Sequence, residues 1–142
     1  PTRVDCWNVS NVVDFDYMLS RGGVYRDITG RDVSNAQRMV NMFSYTKFNQ
    51  DISGWDVSKV TTFQRMFLFG TFNRDISAWD ISNAQFLDSM FLRAGSFNQD
   101  LCSWGDKVAN SARTNAMFRF SDCPDKSPPS GSQGPWCYVC PP

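Results

Sequence analysis

Large apolar residues recur along the chain at a fixed interval of 24 residues. In one series a methionine is followed each time by leucine or phenylalanine, and its members are Met18, Met42, Met66 and Met90. A second series of large apolar residues consists of Phe15, Met39, Phe63 and Leu87. Several columns that keep one phase indicate internal repeats, each a small piece of supersecondary structure. The pattern therefore predicts a repeat protein with units of about 24 residues.

The best-formed unit covers residues 50–73, and its two halves differ in pattern. Residues 52–57 alternate in character, which predicts a short strand. Ser58 is a good helix N-cap, because its hydroxyl can accept a hydrogen bond from a free amide of the first turn. The apolar residues that follow it are Val60, Phe63 and Phe67. This spacing is typical of one face of a short helix of about two turns, which Gly70 would end.

A single unit of this kind cannot fold alone. Ordering its backbone costs roughly 1–2 kcal/mol per residue, and one apolar face returns less than that. We therefore expect the units to stack, with parallel strands on one side and helices on the other. The predicted fold class is an α/β solenoid of leucine-rich-repeat-like coils, with one short parallel strand and one short helix per repeat of about 24 residues. A β-helix with little helix is the alternative.

The repeat divides the chain into about five units and a different C-terminal segment. The predicted solenoid spans residues 1–123, with a partial first coil at 1–25 and further coils at 26–49, 50–73, 74–98 and 99–123. A proline- and cysteine-rich cap at 124–142 follows them. The first coils are degenerate, since Arg31 replaces a tryptophan and Val24-Tyr25 replace a Phe-Asn pair.

Three further columns predict ladders of like side chains in the stack. Phe48, Phe72 and Phe97 are expected to stack inside it. Asn49, Asn73 and Asn98 are expected to be buried amides that satisfy backbone groups of the next coil, with ligand binding as the alternative. Trp55, Trp79 and Trp104 form either part of the core or a flat aromatic platform for a sugar or a partner.

Cysteines are concentrated near the C-terminus. Cys102, Cys123, Cys137 and Cys140 predict two disulfides that hold the cap on the last coil, in an oxidising compartment. The sequence leaves the pairing open, although a Cys137–Cys140 ring would be strained. Zinc is the alternative for these cysteines, but structural zinc sites usually bring two close pairs of ligands. Cys6 remains without an assigned partner.

Acidic and amide side chains supply the other candidate sites. Asp27, Asp51, Asp75 and Asp100 place one carboxylate in each coil, and Asp32, Asp56 and Asp80 form a second such column. Carboxylate arrays are typical of calcium sites, whereas aspartates in turns accept hydrogen bonds from nearby amides. The second interpretation is favoured, and no cofactor is predicted. Asn8-Val9-Ser10 is a sequon for N-glycosylation of Asn8.

Composition excludes several classes of function. The formal net charge is zero, which argues against nucleic acid as a partner. No run of 18 apolar residues is present, so no membrane insertion is predicted. The chain contains no histidine, so Ser-His-Asp and Cys-His catalysis cannot form within it. We expect that the protein is not an enzyme.

Three segments carry a resemblance to a known family. They read FNQDISGWDVSKVTTFQRMF, FNRDISAWDISNAQFLDSMF and FNQDLCSWGDKVANSARTNAMF. They resemble the repeats of BspA-like surface proteins, which also occur in mycoplasma lipoproteins, and the C-terminal segment is similar to that of algal members, notably diatoms. The resemblance implies a leucine-rich-repeat-like fold, a cell-surface location and adhesion. It implies no catalytic residues.

These observations together predict an extracellular or cell-surface protein with a structural or adhesive role. It would act through a repetitive surface that binds protein, either another surface or matrix component or a second copy. An open N-terminal end would allow head-to-tail assembly into a homopolymer. A carbohydrate- or calcium-binding module that uses the tryptophan and aspartate columns is the alternative.

Overall fold

The computed structural model describes residues 7–23 and 27–142 of the chain. Within these residues the helical structure is a single 3-10 helix, Cys102–Trp104. Extended pairing is limited to isolated bridges between single residues. The predictions made for Cys6, Val24 and Tyr25 lie outside the described residues.

The predicted α/β solenoid with a strand and a helix in each repeat is therefore wrong. Residues 52–57 form no strand, and residues 58–67 form no helix. The alternative, a β-helix, agrees with the scarcity of helix but requires strands that the described part of the chain lacks. The coils are built almost entirely from turns, and the hydrogen bonds explain why.

Two aspartate-headed turns replace the predicted strand. The amide of Ser53 donates to Asp51 Oδ1 at 3.0 Å, and the amide of Ser58 donates to Asp56 Oδ1 at 3.0 Å. A tight turn follows each aspartate. In the turn after Asp51, the amide of Trp55 donates to the carbonyl of Ile52 at 3.1 Å. Short polar side chains favour such local bonds over a strand ladder. Ser58 is consequently a turn residue, bonded to Asp56, rather than a helix N-cap.

A run of overlapping turns replaces the predicted helix. We call this segment of each coil the turn run, and it covers residues 13–22, 37–46, 61–70, 85–94 and 112–121. Alternate amides in it donate to the carbonyl three residues earlier. In the third coil these bonds run from Met66 to Phe63, from Leu68 to Arg65 and from Gly70 to Phe67, at 3.1, 3.2 and 3.1 Å. An α-helix would instead use the carbonyl four residues earlier.

In the first four turn runs, four amides that alternate with these donate to the next coil. From the third coil to the fourth these bonds run from Phe63 to Phe86, from Arg65 to Asp88, from Phe67 to Met90 and from Phe69 to Leu92, at 2.9–3.1 Å. Parallel bridges join one residue per coil in the same segment, namely Asp14, Arg38, Thr62, Phe86 and Arg113. The alternation satisfies the backbone without a helix or a sheet, and it stacks the coils.

A four-residue period in the backbone explains why the spacing of apolar residues resembles that of a helix. Arg65 and Phe69 have φ values of 55° and 53°, and two such left-handed residues recur in each turn run. A structural period of four residues places Phe63 and Phe67 on the same side, as a helix of 3.6 residues per turn would. The apolar spacing alone does not distinguish the two structures.

Two columns of phenylalanine rings form the centre of the core. Phe43, Phe67, Phe91 and Phe118 stack with successive centroid distances of 5.7, 5.4 and 5.6 Å. Phe48, Phe72 and Phe97 stack beside them at 6.1 and 6.3 Å. The two columns touch within each coil, where paired rings are 3.8–4.0 Å apart. Stacked rings at these distances add attraction beyond the burial of their area.

The cap covers part of the last coil. Trp136 is fully buried, and its ring packs edge-on against Trp104 at 6.3 Å between centroids. The amide of Leu101 donates to the carbonyl of Trp136 at 3.1 Å. The disulfide pairs are Cys102–Cys140 and Cys123–Cys137. Trp136 thus covers the end of the tryptophan column at Trp104.

Candidate functional site

The second left-handed residue of each turn run contributes an aromatic or arginine side chain to an exposed row. We call this row the exposed ladder, and its members are Arg21, Tyr45, Phe69, Arg93 and Phe120. Tyr45, Phe69 and Phe120 remain 42%, 46% and 52% exposed, although each is a large aromatic residue. Isolated exposed apolar residues are ordinary, but a continuous group indicates an interaction surface.

The members of the ladder contact one another along the stack. The rings of Tyr45 and Phe69 are nearly parallel, with centroids 5.0 Å apart. The guanidinium of Arg21 lies 4.3 Å from the Tyr45 ring centroid. Arg93 lies between Phe69 and Phe120, at 5.2 and 4.7 Å. Cation–π contacts of this kind are favourable, and they hold the side chains in place before any partner arrives.

The backbone places these bulky side chains at a cost. All five ladder residues have φ between 53° and 58°. A left-handed conformation costs a residue with a Cβ roughly 1–2 kcal/mol, whereas glycine adopts it freely. The chain nevertheless has large side chains at these positions, and they are not part of the core. Strained positions with exposed large side chains are candidates for function.

A groove runs beside the ladder in the first three coils. Its volume is about 550 Å³, and it lies between the ladder and a second left-handed row that includes Tyr17, Asn41 and Arg65. The floor of the groove contains Ser20 and Ser44, whose hydroxyls are 2.7 Å apart. A binding partner would therefore meet aromatic edges, guanidinium groups and hydroxyls together.

The surface around the ladder carries positive charge. We define the arginine–aromatic face as residues 17–21, 41–45, 65–69, 89–93 and 116–120. These segments contain four arginines and no acidic residue, in a chain with equal numbers of acidic and basic groups. The arginines are Arg21, Arg65, Arg93 and Arg119. The face is therefore strongly basic, although the net charge of the whole chain is zero.

Ion pairs within the described segments lie outside this face. Arg38 pairs with Asp16 at 2.7 Å, and Arg113 approaches Asp88 at 3.5 Å. None of the four arginines of the arginine–aromatic face is within ion-pair distance of an acidic group in the part of the chain that the structure describes. Their charges are available to a partner.

The aspartates of the first column lie on the surface and head turns. We call Asp27, Asp51, Asp75 and Asp100 the acidic column. In each, Oδ1 accepts the amide two residues later at 2.9–3.0 Å. Hydrogen bonds from the hydroxyl and then the amide of Thr29 hold the pKa of Asp27 below its usual value. The described residues contain no group of three or more potential metal ligands.

The second aspartate column and the sequon share the same turn geometry. Oδ1 of Asp32, Asp56 and Asp80 accepts the amide of the serine two residues later at 3.0 Å. Asn8 is exposed, and its Oδ1 accepts the amide of Ser10 at 3.1 Å. This column faces solvent, so glycosylation of Asn8 remains a prediction that the fold permits.

The tryptophan column lies in the core. Trp55, Trp79 and Trp104 are 5%, 1% and 0% exposed. The indole N–H of Trp79 donates to the carbonyl of Ile52 at 3.0 Å, and that of Trp104 donates to Ile76 at 3.2 Å. Trp79 and Trp104 stack on each other at 6.5 Å. Rings buried in this way offer no flat platform to a sugar.

The asparagine column forms a ladder between coils. The amide of Asn73 donates to Asn49 Oδ1 at 2.9 Å, and the amide of Asn98 donates to Asn73 Oδ1 at 3.1 Å. The side chains are exposed or half-buried rather than buried as predicted. Their oxygens satisfy backbone donors of the next coil.

The four C-terminal cysteines are all used in disulfides. Cys102 bonds to Cys140 and Cys123 bonds to Cys137, so the strained Cys137–Cys140 ring does not form. A zinc site would need the same sulfurs as free thiolates. Cys123 is fully buried, and its sulfur lies 3.6 Å from the carbonyl of Phe97.

Sequence reasoning missed the exposed ladder. The 24-residue interval does connect Arg21, Tyr45, Phe69 and Arg93, so a signal was present. The column mixes charged and aromatic residues, however, and a search for like residues does not find it. Its members also come after buried residues in the segment that the apolar spacing predicted to be a helix.

Comparison with known proteins gives one match. The model of the family described as "Mycoplasma protein of unknown function, DUF285" matches residues 2–68 and, in a second overlapping match, residues 23–127. No curated protein and no solved structure matches the chain. Among the described residues, no helix is long and apolar enough to cross a membrane.

Proposed function

We propose that this chain, which belongs to the family described as "Mycoplasma protein of unknown function, DUF285", is an extracellular structural or adhesive repeat protein. It binds a protein partner through the arginine–aromatic face. The observation that carries this proposal is the exposed ladder, in which rings that are 42–52% exposed are held in a row by stacking and guanidinium contacts.

The composition of the face favours a protein as partner. Tyrosine, phenylalanine and arginine are enriched at protein interfaces, and tyrosine and arginine are frequent hot spots. The rings of the ladder are held by their neighbours, so little side-chain entropy is lost on binding. Repetition along the stack allows several weak contacts to act together.

The cap and the family support an extracellular location. Two disulfides are compatible with an oxidising environment and are rare in reducing ones. The repeat also resembles that of BspA-like surface proteins, for which adhesion is the expected role. No catalytic activity is proposed, because the repeated segments use their acidic groups as identical turn caps.

Binding of labelled protein to the surface and matrix of the source cells tests this proposal. The double variant Phe69→Asn with Arg93→Asn removes a ring and a charge but keeps residues that tolerate left-handed φ. We expect affinity to fall by at least about 30-fold, as for loss of one strong hot spot.

A matched control alters exposed residues elsewhere. Val139 is 81% exposed and Arg74 is exposed, and both lie outside the arginine–aromatic face. The double variant Val139→Ser with Arg74→Ser should bind like the wild type. Equal binding by both double variants would show that the face is not the binding surface.

A further inference from the structure

We infer that a second copy of this chain binds the arginine–aromatic face by its acidic column. This inference rests on the proposed function of the face as a protein-binding surface and identifies the partner. One copy presents the guanidinium groups, and the other presents Asp27, Asp51, Asp75 and Asp100.

Charge is the first argument for this partner. The arginine–aromatic face has four arginines and no carboxylate, whereas each coil from the second to the fifth contributes one exposed aspartate to the acidic column. Within the described segments, no residue of either set forms an ion pair. Complementary patches of this kind steer association and fix its register.

Spacing is the second argument. Both patches belong to the same stack of coils, so both advance along it by the same distance per coil. Stacked rings of successive coils lie between 5.0 Å apart, as for Tyr45 and Phe69, and 6.5 Å apart, as for Trp79 and Trp104. Two copies that lie side by side therefore keep one register along the stack, so that arginines from the first, third, fourth and fifth coils can each reach an aspartate of the column. A partner with an unrelated period would lose register after one or two contacts.

The geometry of the carboxylates is the third argument. In all four members Oδ1 accepts a turn amide, and in the described residues these amides leave the Oδ2 of the same carboxylates unused. The free oxygen can accept a guanidinium N–H without breaking the turn. A charge-assisted bond of this type is stronger than a neutral one.

The two patches occupy different parts of each coil, which determines the form of the assembly. Each copy can donate its face to one neighbour and its acidic column to another. Such a heterologous contact does not close on itself unless a rotation closes a ring, so it extends. Trp136 covers Trp104 at the end of the last coil, and addition at the side avoids this cap. Assembly is therefore lateral rather than end to end.

Sedimentation velocity of the full disulfide-bonded chain tests the inference. At low ionic strength we expect concentration-dependent association, and salt at about 0.5 M should weaken it by at least about tenfold, because exposed charges are screened. Arg65→Glu with Arg93→Glu should abolish association. Asp51→Asn with Asp75→Asn keeps the Oδ1 acceptors and should weaken association by about tenfold while the chain stays folded.

Matched and rescuing variants make the result specific. Asp106→Asn with Asp122→Asn changes the net charge equally but lies outside the acidic column, and it should associate like the wild type. Asp51→Lys with Asp75→Lys should not associate alone but should co-assemble with Arg65→Glu/Arg93→Glu. Folding of each variant is checked by its melting temperature.

Two results would overturn the inference. A wild type that stays monomeric at low salt and high concentration has no such contact. Association that the arginine and aspartate variants leave unchanged uses another surface. In either case binding to source-cell material that still depends on Phe69 and Arg93 would preserve the proposed function and direct it to a different partner. Loss of both would refute the two proposals together.

Discussion

The coils and the cap are held by different kinds of interaction. In the coils, alternate amides of the first four turn runs donate to the next turn run, and the same rings recur in register. In the cap, residues 124–142 follow no repeat and are fixed by two disulfides and by Trp136. A repeating segment can rely on its neighbour for hydrogen bonds, but the last segment has no identical neighbour.

The difference explains the distribution of cysteines and aromatic rings. Covalent bonds appear where the regular ladder stops, and stacked phenylalanine rings appear where it continues. The exposed ladder is a by-product of the regular part, because the turn run repeats its left-handed positions in every coil. The proposed binding surface therefore arises from the same repeating backbone conformation that stacks the coils.

The largest effect is expected in the centre of the coils. Phe67 is fully buried between Phe43 and Phe91, with centroids at 5.7 and 5.4 Å. Phe67→Ala should lower the free energy of unfolding by about 3–5 kcal/mol, measured by urea denaturation. Phe120→Ala on the exposed ladder is the control and should cost less than about 1 kcal/mol. Equal losses would contradict the assignment of core and surface.

Removal of a disulfide should have the next largest effect and should act on the cap. The bond Cys123–Cys137 has a sequence separation of 14 residues. Replacement of both cysteines by serine should cost about 2–5 kcal/mol. Hydrogen exchange should become faster at residues 124–142, while the turn run at 61–70 stays protected. Faster exchange throughout the coils would show that the cap does not open independently of the coils.

Gly105 lies where the last coil meets the cap, and its substitution tests how closely the two regions pack. A Cβ on Gly105 would collide with the backbone carbonyl of Ser132 in the cap, whereas a Cβ on Gly54 would meet nothing within 4 Å. Gly105→Ala should cost about 1–3 kcal/mol, because backbone must move. Gly54→Ala is the matched control and should be nearly neutral. Thermal unfolding of the two variants measures the difference, and an unaffected Gly105→Ala would refute the close approach.

The smallest effect concerns pH and the turns of the coils. Hydrogen bonds from a serine hydroxyl and then its amide lower the pKa of Asp51 and Asp56 below the ordinary value of 3.8. A lowered pKa in the folded state stabilises the protein above that ordinary value, and the contribution is lost as the pH falls through the folded-state pKa. The melting temperature should therefore drop on acidification below about pH 4.

The variant Asp51→Asn with Asp56→Asn checks this origin. It keeps the side-chain acceptors but cannot titrate, so its melting temperature should depend less on pH between 2 and 5 than that of the wild type. An identical pH dependence in the two proteins would assign the acid sensitivity to other groups, such as Asp80, whose pKa is also lowered by hydrogen bonds from Ser82.

Much of the stacking could be predicted from the sequence. The 24-residue interval identifies the phenylalanine column of Phe48, Phe72 and Phe97, because burial requires the same kind of side chain in every coil. The link between Asn49 and Asn73 follows from the same interval. These features depend on which residues recur, and recurrence is visible without knowing the backbone.

The local backbone could not be predicted in the same way. A period of four residues in a ten-residue segment resembles a helical period, and the left-handed positions carry no glycine to reveal them. Arg65 and Phe69 occupy two of these positions, although propensity favours neither there. Hydrogen bonds to the next coil override local preference, and the exposed ladder depends on them.

The fold depends on amides of the turn run that bond to the next coil rather than within a helix. Scalar couplings across hydrogen bonds, measured by NMR between amide nitrogens and carbonyl carbons, test it most directly. We expect couplings from Phe63 to Phe86 and from Phe67 to Met90, which are joined at 2.9 Å in both cases. Coupling of the Phe67 amide to the carbonyl of Phe63 would instead show that the turn run is an α-helix.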